Sequence, residues 1–243
     1  NQFEENLMDA TNDWSQLVTD EADLQGLPAS AMDLLRQTAQ QKDQDGWMLT
    51  LEFPCYMAMM TYADNRELRY AIHHAFVTRA SDQGTGKESW DNSQLMKDIV
   101  GLRHEKAQLL GYKSYAHLSL ATKMADKPED VLTFLNQLAD SSLPMAKKDY
   151  ATLCDFAAKQ GHKGAVESWD VAYYSEKLRQ ERYQFSQEEV KPYFPANRVL
   201  TGMFKVVEKL YGLNISEVKD VNTWHKDVQL FSITDEKGVH RGR

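Results

Sequence analysis

The sequence predicts a mainly α fold with two short β-strands, and three observations carry that reading. Apolar residues recur at three- and four-residue steps along most of the chain, glycines and prolines punctuate those runs, and strand-like patterning is confined to two short places. Residues 1–19 read as a helix already under way, with Phe3, Leu7, Ala10, Trp14 and Leu17 on one face. Pro28 suits a first helical position, and Ala31, Leu34, Leu35 and Thr38 continue an amphipathic pattern until the polar run 40–46. The period then changes. Trp47, Leu49, Leu51 and Phe53 alternate with Met48, Thr50 and Glu52, which predicts a strand buried on one face, and Pro54 closes it and opens the next helix.

Asp64 followed three residues on by Glu67 predicts a capping box, and Leu68, Ile72, Ala75 and Phe76 form the apolar stripe of the helix it starts. Residues 81–86 (SDQGTG) end that helix in a loop. Asp91 or Asn92 caps the next one, whose expected buried face is Leu95, Ile99, Leu102 and Leu109, with Gly111 as its left-handed stop. A short helix over 115–122 follows. Residues 128–160 are helical in pattern, with Val131, Leu135 and Leu138 on one face and Leu153, Phe156 and Ala157 beyond Pro144, where a break or kink is expected. Gly161 and Gly164 bracket a loop, and a helix over 169–185 should turn Val171, Tyr174 and Leu178 inward. Ser186 with Glu189 reads as a capping box for a short second helix. The last helix, 197–211, should bury Val199, Met203, Val206 and Leu210 and stop at Gly212. Residues 228–234 read as the second strand, followed by the turn 235–238 and the start of a returning strand.

Composition excludes several classes of function. The chain has 243 residues, 42% of them hydrophobic, which suffices for a sizeable core. Its 36 acidic and 28 basic side chains leave a formal charge of -8 with no basic stripe, which argues against a nucleic-acid partner. No run of about eighteen apolar residues exists to span a membrane. Cys55 and Cys154 lie far apart in apolar, helix-like contexts, the pattern of free thiols in a cytoplasmic protein. The chain begins without Met inside a helical pattern and stops at Arg243 inside a hairpin, so both ends are expected to be internal to a longer protein.

Candidate chemistry is sparse. His104-Glu105-Lys106-Ala107-Gln108 is one residue from the His-Glu-x-x-His zinc motif, but the fifth position is an amide, a poor zinc ligand, so an exposed helical turn is the expected reading. His73 and His74 are adjacent and point about 100° apart on a helix, which does not suit a shared metal. His117, His162, His225 and His240 fall on separate elements without ligand spacing. Residues 81–87 lack the phosphate-loop spacing. Met57, Met59 and Met60 with Tyr56 and Tyr62 could form an adaptable contact surface, with core filling the stronger expectation. The charges of Glu176, Lys177, Arg179, Glu181 and Arg182 fall at pairing distance on a solvated helix face.

Several stretches together resemble one family. Residues 47–56 (WMLTLEFPCY), 61–69 (TYADNRELR), 77–83 (VTRASDQ), 118–124 (LSLATKM), 169–194 (WDVAYYSEKLRQERYQFSQEEVKPYF) and 224–228 (WHKDV) are similar, in this order, to the thimet-type zinc oligopeptidases, the M3 metallopeptidases. The resemblance implies a cytoplasmic metallopeptidase that cuts short peptides, with two helical lobes enclosing a deep channel and zinc at its base. It also implies a zinc held by a His-Glu-x-x-His helix and a downstream Glu, with the motif Glu as general base for a metal-bound water. None of those residues is in this chain. Residues 1–243 are therefore expected to form one mostly helical unit of channel wall, partnered by the remainder of its own chain. The zinc-binding region is expected beyond residue 243, and no residue here is assigned as catalytic or metal-binding. Tyr173, Arg179 and Tyr183 are the candidate channel contacts. The alternative is a self-standing helical module that binds peptides or proteins through an apolar groove.

Overall fold

A computed structural model describes residues 1–184 and 187–243, and these form two compact units divided after Gln184. The fold is mainly α, as expected, and three further short strands join the two read from sequence. The Ser186–Glu189 capping box lies outside the described residues.

In the first unit α1 (Gln2–Asp13) begins at Asn1, whose side chain accepts from the Glu4 amide while Glu4 reaches back, a closed capping box. The helix does not continue to residue 19. Trp14 turns extended, and Ser15–Val18 forms β1, antiparallel to β2 (Trp47–Thr50) with Val18 opposite Trp47 and Ser15 opposite Thr50. The helical spacing of Trp14 and Leu17 is overridden by this long-range pairing, which gives the 15–18 backbone its hydrogen bonds and buries Val18. The β2 strand is shorter than expected and buried on both faces, since Met48 is covered as fully as Trp47 and Leu49. A strand inside a layered core loses the alternation that a one-sided strand would show.

Helix α2 (Ala29–Gln40) packs on β2, and α3 (Phe53–Tyr62) starts with Pro54 in its first turn, where the missing N–H costs nothing. Helix α4 (Arg66–Thr78) is capped by Asn65, which accepts from the Glu67 and Leu68 amides. Asp64, the expected cap, is one residue too early and turns its carboxylate to other partners. The first core gathers Leu24, Leu35, Leu49, Leu51, Met59, Met60, Ile72 and Ala75, so Met59 and Met60 are core filling while Met57 is exposed.

Helix α5 (Ser93–Leu109) has Asp91 accepting from the Ser93 amide and hydroxyl, while Asn92 is buried and ties this end to α1 by accepting from Asn6 and donating to the Phe3 carbonyl. Helix α6 (Tyr115–Leu120) leads to α7 (Pro128–Lys159), which runs through Pro144 as one helix. Helix α8 (Ser168–Tyr183) packs on α3, α4 and α7, with Leu153, Phe156, Ala157, Val166, Tyr173 and Tyr174 as a second core. Val171, expected inside, lies at the surface because Tyr173 joins Tyr174 on the buried side.

The second unit has a short α9 (Gln187–Val190), then α10 (Ala196–Tyr211), stopped by Gly212 in the left-handed conformation, and a three-stranded antiparallel sheet of β3 (Leu213–Val218), β4 (Leu230–Asp235) and β5 (His240–Gly242). The returning strand after the 235–238 turn is β5. Phe204 of α10 meets Phe231 of β4 edge-on at 4.8 Å, and Glu208 accepts from the Ile215 amide.

Three expected buried faces lie open. Leu102 and Leu109 of α5, Leu135 and Leu138 of α7, and Val199, Met203, Val206 and Leu210 of α10 are all exposed. The helical period places each stripe on one face, but no described element covers it.

One turn is held by a close approach. Gly26 has φ +90°, and a Cβ there would stand 2.2 Å from the Tyr62 carbonyl oxygen, beside the bond from the Asp64 amide to the Gln25 carbonyl. Gly26→Ala should destabilise the protein by about 1–3 kcal/mol through backbone strain. The measurement is a lowered urea midpoint with an unchanged slope.

Candidate functional site

The densest polar constellation joins the start of α4 to the start of α8. Asp170 has no solvent exposure, and two arginines one helical turn apart hold it. Arg66 donates from Nε at 3.0 Å to Oδ1 and from Nη2 at 2.8 Å to Oδ2, and Arg69, itself 1% exposed, donates from Nη2 at 2.9 Å to Oδ1. The Glu167 amide adds a bond at 3.1 Å to Oδ2, closing a capping box at the head of α8. The rest of Arg69 is also satisfied, by the carbonyls of Ala63 at 2.7 Å and Trp169 at 3.1 Å.

A second ring of groups surrounds the first. Tyr173 lies 4.1 Å under the Arg69 guanidinium and donates its hydroxyl to Asp64 at 2.6 Å, and Lys177 reaches the same carboxylate at 3.2 Å. Trp169 sits near Arg66 and edge-on to Tyr70, and His73 spans Tyr56 at 3.1 Å and Ser168 at 2.9 Å through its two ring nitrogens.

Charge and burial explain the ionisation states. Burial alone would raise the Asp170 pKa, but the bonds from Arg66, Arg69 and the Glu167 amide outweigh it and hold the carboxyl below its usual range. Asp64 follows the same balance, with burial opposed by Tyr173 and Lys177. Burial, then the bond to Asp64, raises Tyr173, and burial lowers His73. The cluster is a clamp of permanently charged groups that neutralise one another.

The residues singled out from sequence fall elsewhere or are already occupied. His104 and Glu105 are exposed on α5, and the Gln108 amide donates to the carbonyls of Tyr112 and Lys113, so this turn fastens the end of its own helix. His117 bonds to Ser114, His162 to the Ala165 carbonyl, and His225 stands near Asp227. Among the described residues no group of three or more His, Cys, Asp or Glu stands close enough together to hold a metal ion. Of the candidate channel contacts, Tyr173 is buried with its hydroxyl committed, Arg179 pairs with Glu176, and Tyr183 is exposed at the end of α8. Arg66, Arg69 and Asp170 escaped the sequence reading, and Asp64 was read only as a helix cap. Their only local signal was Arg66 and Arg69 at helical spacing within 61–69, since the partner lies about a hundred positions away.

Residues 59–243 match peptidase family M3, and the chain belongs to that family. It is 47% identical over 242 residues to oligopeptidase A of Salmonella typhimurium, covering all of this chain and 36% of the relative. It is 44% identical over 241 residues to oligopeptidase A of Haemophilus influenzae, covering 99% of this chain and 35% of the relative, and 36% identical over 248 residues to a probable cytosolic oligopeptidase A of Arabidopsis thaliana, covering 97% and 34%. The chain thus spans about a third of the length of the curated relatives it matches. Both halves of the Asp170 clamp fall inside the matched segment.

Asp170→Asn leaves Arg69 buried without a countercharge and should cost about 3–5 kcal/mol. Because the folded pKa of Asp170 is depressed, its contribution is complete above the ordinary carboxyl value of about 3.9 and is lost as pH falls below it. Urea unfolding from neutral pH downward should show stability falling in acid, with a shallower fall in Asp170→Asn. An equal acid slope in both proteins would show that the clamp does not carry this pH dependence.

Proposed function

We propose that this chain is part of a zinc metallopeptidase that hydrolyses short peptides, and that residues 1–243 supply helical wall rather than reacting groups. The observation that carries the reading is the pairing of family membership with a charged centre whose members are spent on one another. The matched relatives are named oligopeptidase A, and short peptides are the substrates such a protein would take. On this reading the ligands for zinc lie outside residues 1–243, since among the described residues His104 and Glu105 have no third donor and Gln108 is otherwise engaged.

The open stripes on α5, α7 and α10 support a partner in the remainder of a longer chain. Contiguous apolar helix faces of this extent are costly in water, and further sequence of the same protein would cover them. A self-standing interaction module would use the same stripes, but family membership accounts for them without a separate partner. No helix among the described residues is long and apolar enough to cross a membrane, and Cys55 and Cys154 are free thiols, which supports the cytoplasm as the site of action. The dispersed basic residues support no role in nucleic-acid binding.

The test is a side-by-side assay of zinc content and cleavage of a short fluorogenic peptide. The whole gene product should retain stoichiometric zinc and cleave the peptide, with cleavage lost on chelation. Residues 1–243 alone should do neither, and should bind a hydrophobic dye more strongly per residue than the whole protein. Stoichiometric zinc with cleavage by residues 1–243 would overturn the assignment of the chemistry to other parts of the protein.

A further inference from the structure

Within the first unit, α1, the end of α4 and the 81–86 loop border a small cavity of about 40 Å³, whose apolar lining includes Trp14, Leu51 and Ala75. The volume admits one small ion or about three waters. Its polar lining is Arg79, just past the last residue of α4, with Thr85 and Gly86 of the loop and Asp13 at the end of α1. Arg79 is a cation without a countercharge. It donates from Nη1 to the Phe76 carbonyl and lies 3.7 Å over the Phe76 ring, while its Nε is shielded from water and has no hydrogen-bond partner. No carboxylate among the described residues forms an ion pair with it, Asp13 included.

Charge and hydrogen bonding are thus both unmet in one place. Burial lowers the Arg79 pKa, and the group that opposes this is the Tyr56 phenol, itself uncharged at pH 7. Water can complete the Nε bond but brings no negative charge. The Thr85 hydroxyl and the Gly86 amide also lack hydrogen-bond partners among the described residues, so the cavity is edged by donors. An anion meets both needs, and the space selects its kind. A phosphate or sulfate would exceed the volume and set a second negative charge near Asp13, whereas a monoatomic anion fits and loses its hydration shell beside Trp14 and Leu51 at least cost.

We propose that this cavity binds a single halide ion, chloride in ordinary solution, with Arg79 as the cation that holds it and the Thr85 hydroxyl as a second donor. The ion ties the tip of the 81–86 loop to the end of α4. Other bonds already fix the base of that loop, since Ser81 donates its hydroxyl to the Thr78 carbonyl and the Gly84 amide donates to the Ser81 carbonyl, but none reaches Thr85 or Gly86. The site stands independently of the peptidase reading, because it uses no residue of the Asp170 clamp and no metal.

The experiment uses the whole protein prepared in sodium gluconate, free of halide. Chloride-35 NMR line broadening, followed as chloride replaces gluconate at constant ionic strength, should saturate with a midpoint of about 10–100 mM, the strength of one hydrogen bond to a charged group. Arg79→Met should weaken that binding by about tenfold or more, Arg79→Lys should keep part of it, and Thr85→Val should fall between wild type and Arg79→Met. Urea midpoints in gluconate report whether each variant is folded. Crystals of the whole protein soaked in sodium bromide should show an anomalous peak beside the Arg79 guanidinium, a readout that needs no variant. Broadening that is unchanged in a folded Arg79→Met variant overturns the proposal. So does a cavity that holds only water in the bromide crystals, or one filled by a carboxylate from elsewhere in the whole protein.

Discussion

A carboxylate with no access to water, Asp170, is the constraint on which the packing of residues 1–184 depends. Burying one charge is prohibitive unless its partners arrive with it, and here two guanidinium groups and a backbone amide arrive from segments far apart in sequence. The pairing sets the rotation of α8 about its own axis. With Asp170 turned toward α4, Tyr173 and Tyr174 are carried into the second core and Val171 is carried out of it. The same arrangement places Tyr173 under Arg69, where its ring covers the cation and its hydroxyl fixes Asp64. Replacing the trio with apolar residues of equal volume could be as stable, so its contribution is to specify one arrangement of α4 against α8.

That constraint explains why two of the segments that carry the family resemblance are dense in charge and aromatic rings. The stretch 61–69 brings Asp64, Arg66 and Arg69, and the stretch beginning at 169 brings Trp169, Asp170, Tyr173 and Lys177. Each is one half of a single lock. Read separately, either half suggests catalysis, because isolated charges on a helix advertise a surface. Brought together, they neutralise one another, and the shifts of Asp64 and Asp170 run toward permanent ionisation rather than toward a proton donor or acceptor near neutrality.

Local signals were legible wherever a residue's conformation is decided by its neighbours in sequence. Pro54 opened α3, Gly111 and Gly212 adopted the left-handed backbone expected of helix stops, and Ile72, Ala75, Leu153 and Ala157 were buried as their spacing required. Failures have a common cause in distant partners. Residues 15–18 continue a helical pattern, and only β2, some thirty positions on, makes them a strand. Asp64 has the chemistry of a cap, but Tyr173 and Lys177 claim its carboxylate and leave capping to Asn65. For the candidate site, neither the Arg66 and Arg69 pair nor its target Asp170 was picked out, because nothing local marks one aspartate in α8 as the buried one.

The helical period gives the azimuth of an apolar stripe but not the identity of what covers it, and α10 shows the consequence. Leu200, Phe204 and Val207 face the β3–β4–β5 side and are half-buried, while Val199, Met203, Val206 and Leu210 widen the same apolar arc by about 100° round the helix and lie exposed. A surface helix needs an apolar stripe only as wide as the element it rests on, and an arc wider than its cover suits contact with a second element. The lower faces of α5 and α7, with Leu109 and Leu138 open, carry the same message in the first unit. Such stripes stabilise nothing until they are covered, so the helices that bear them contribute their full burial energy only within a larger assembly. The apolar arc of α10 is wider than the β3–β4–β5 sheet covers, so its sixteen residues specify the sheet contact and a second, open contact side by side.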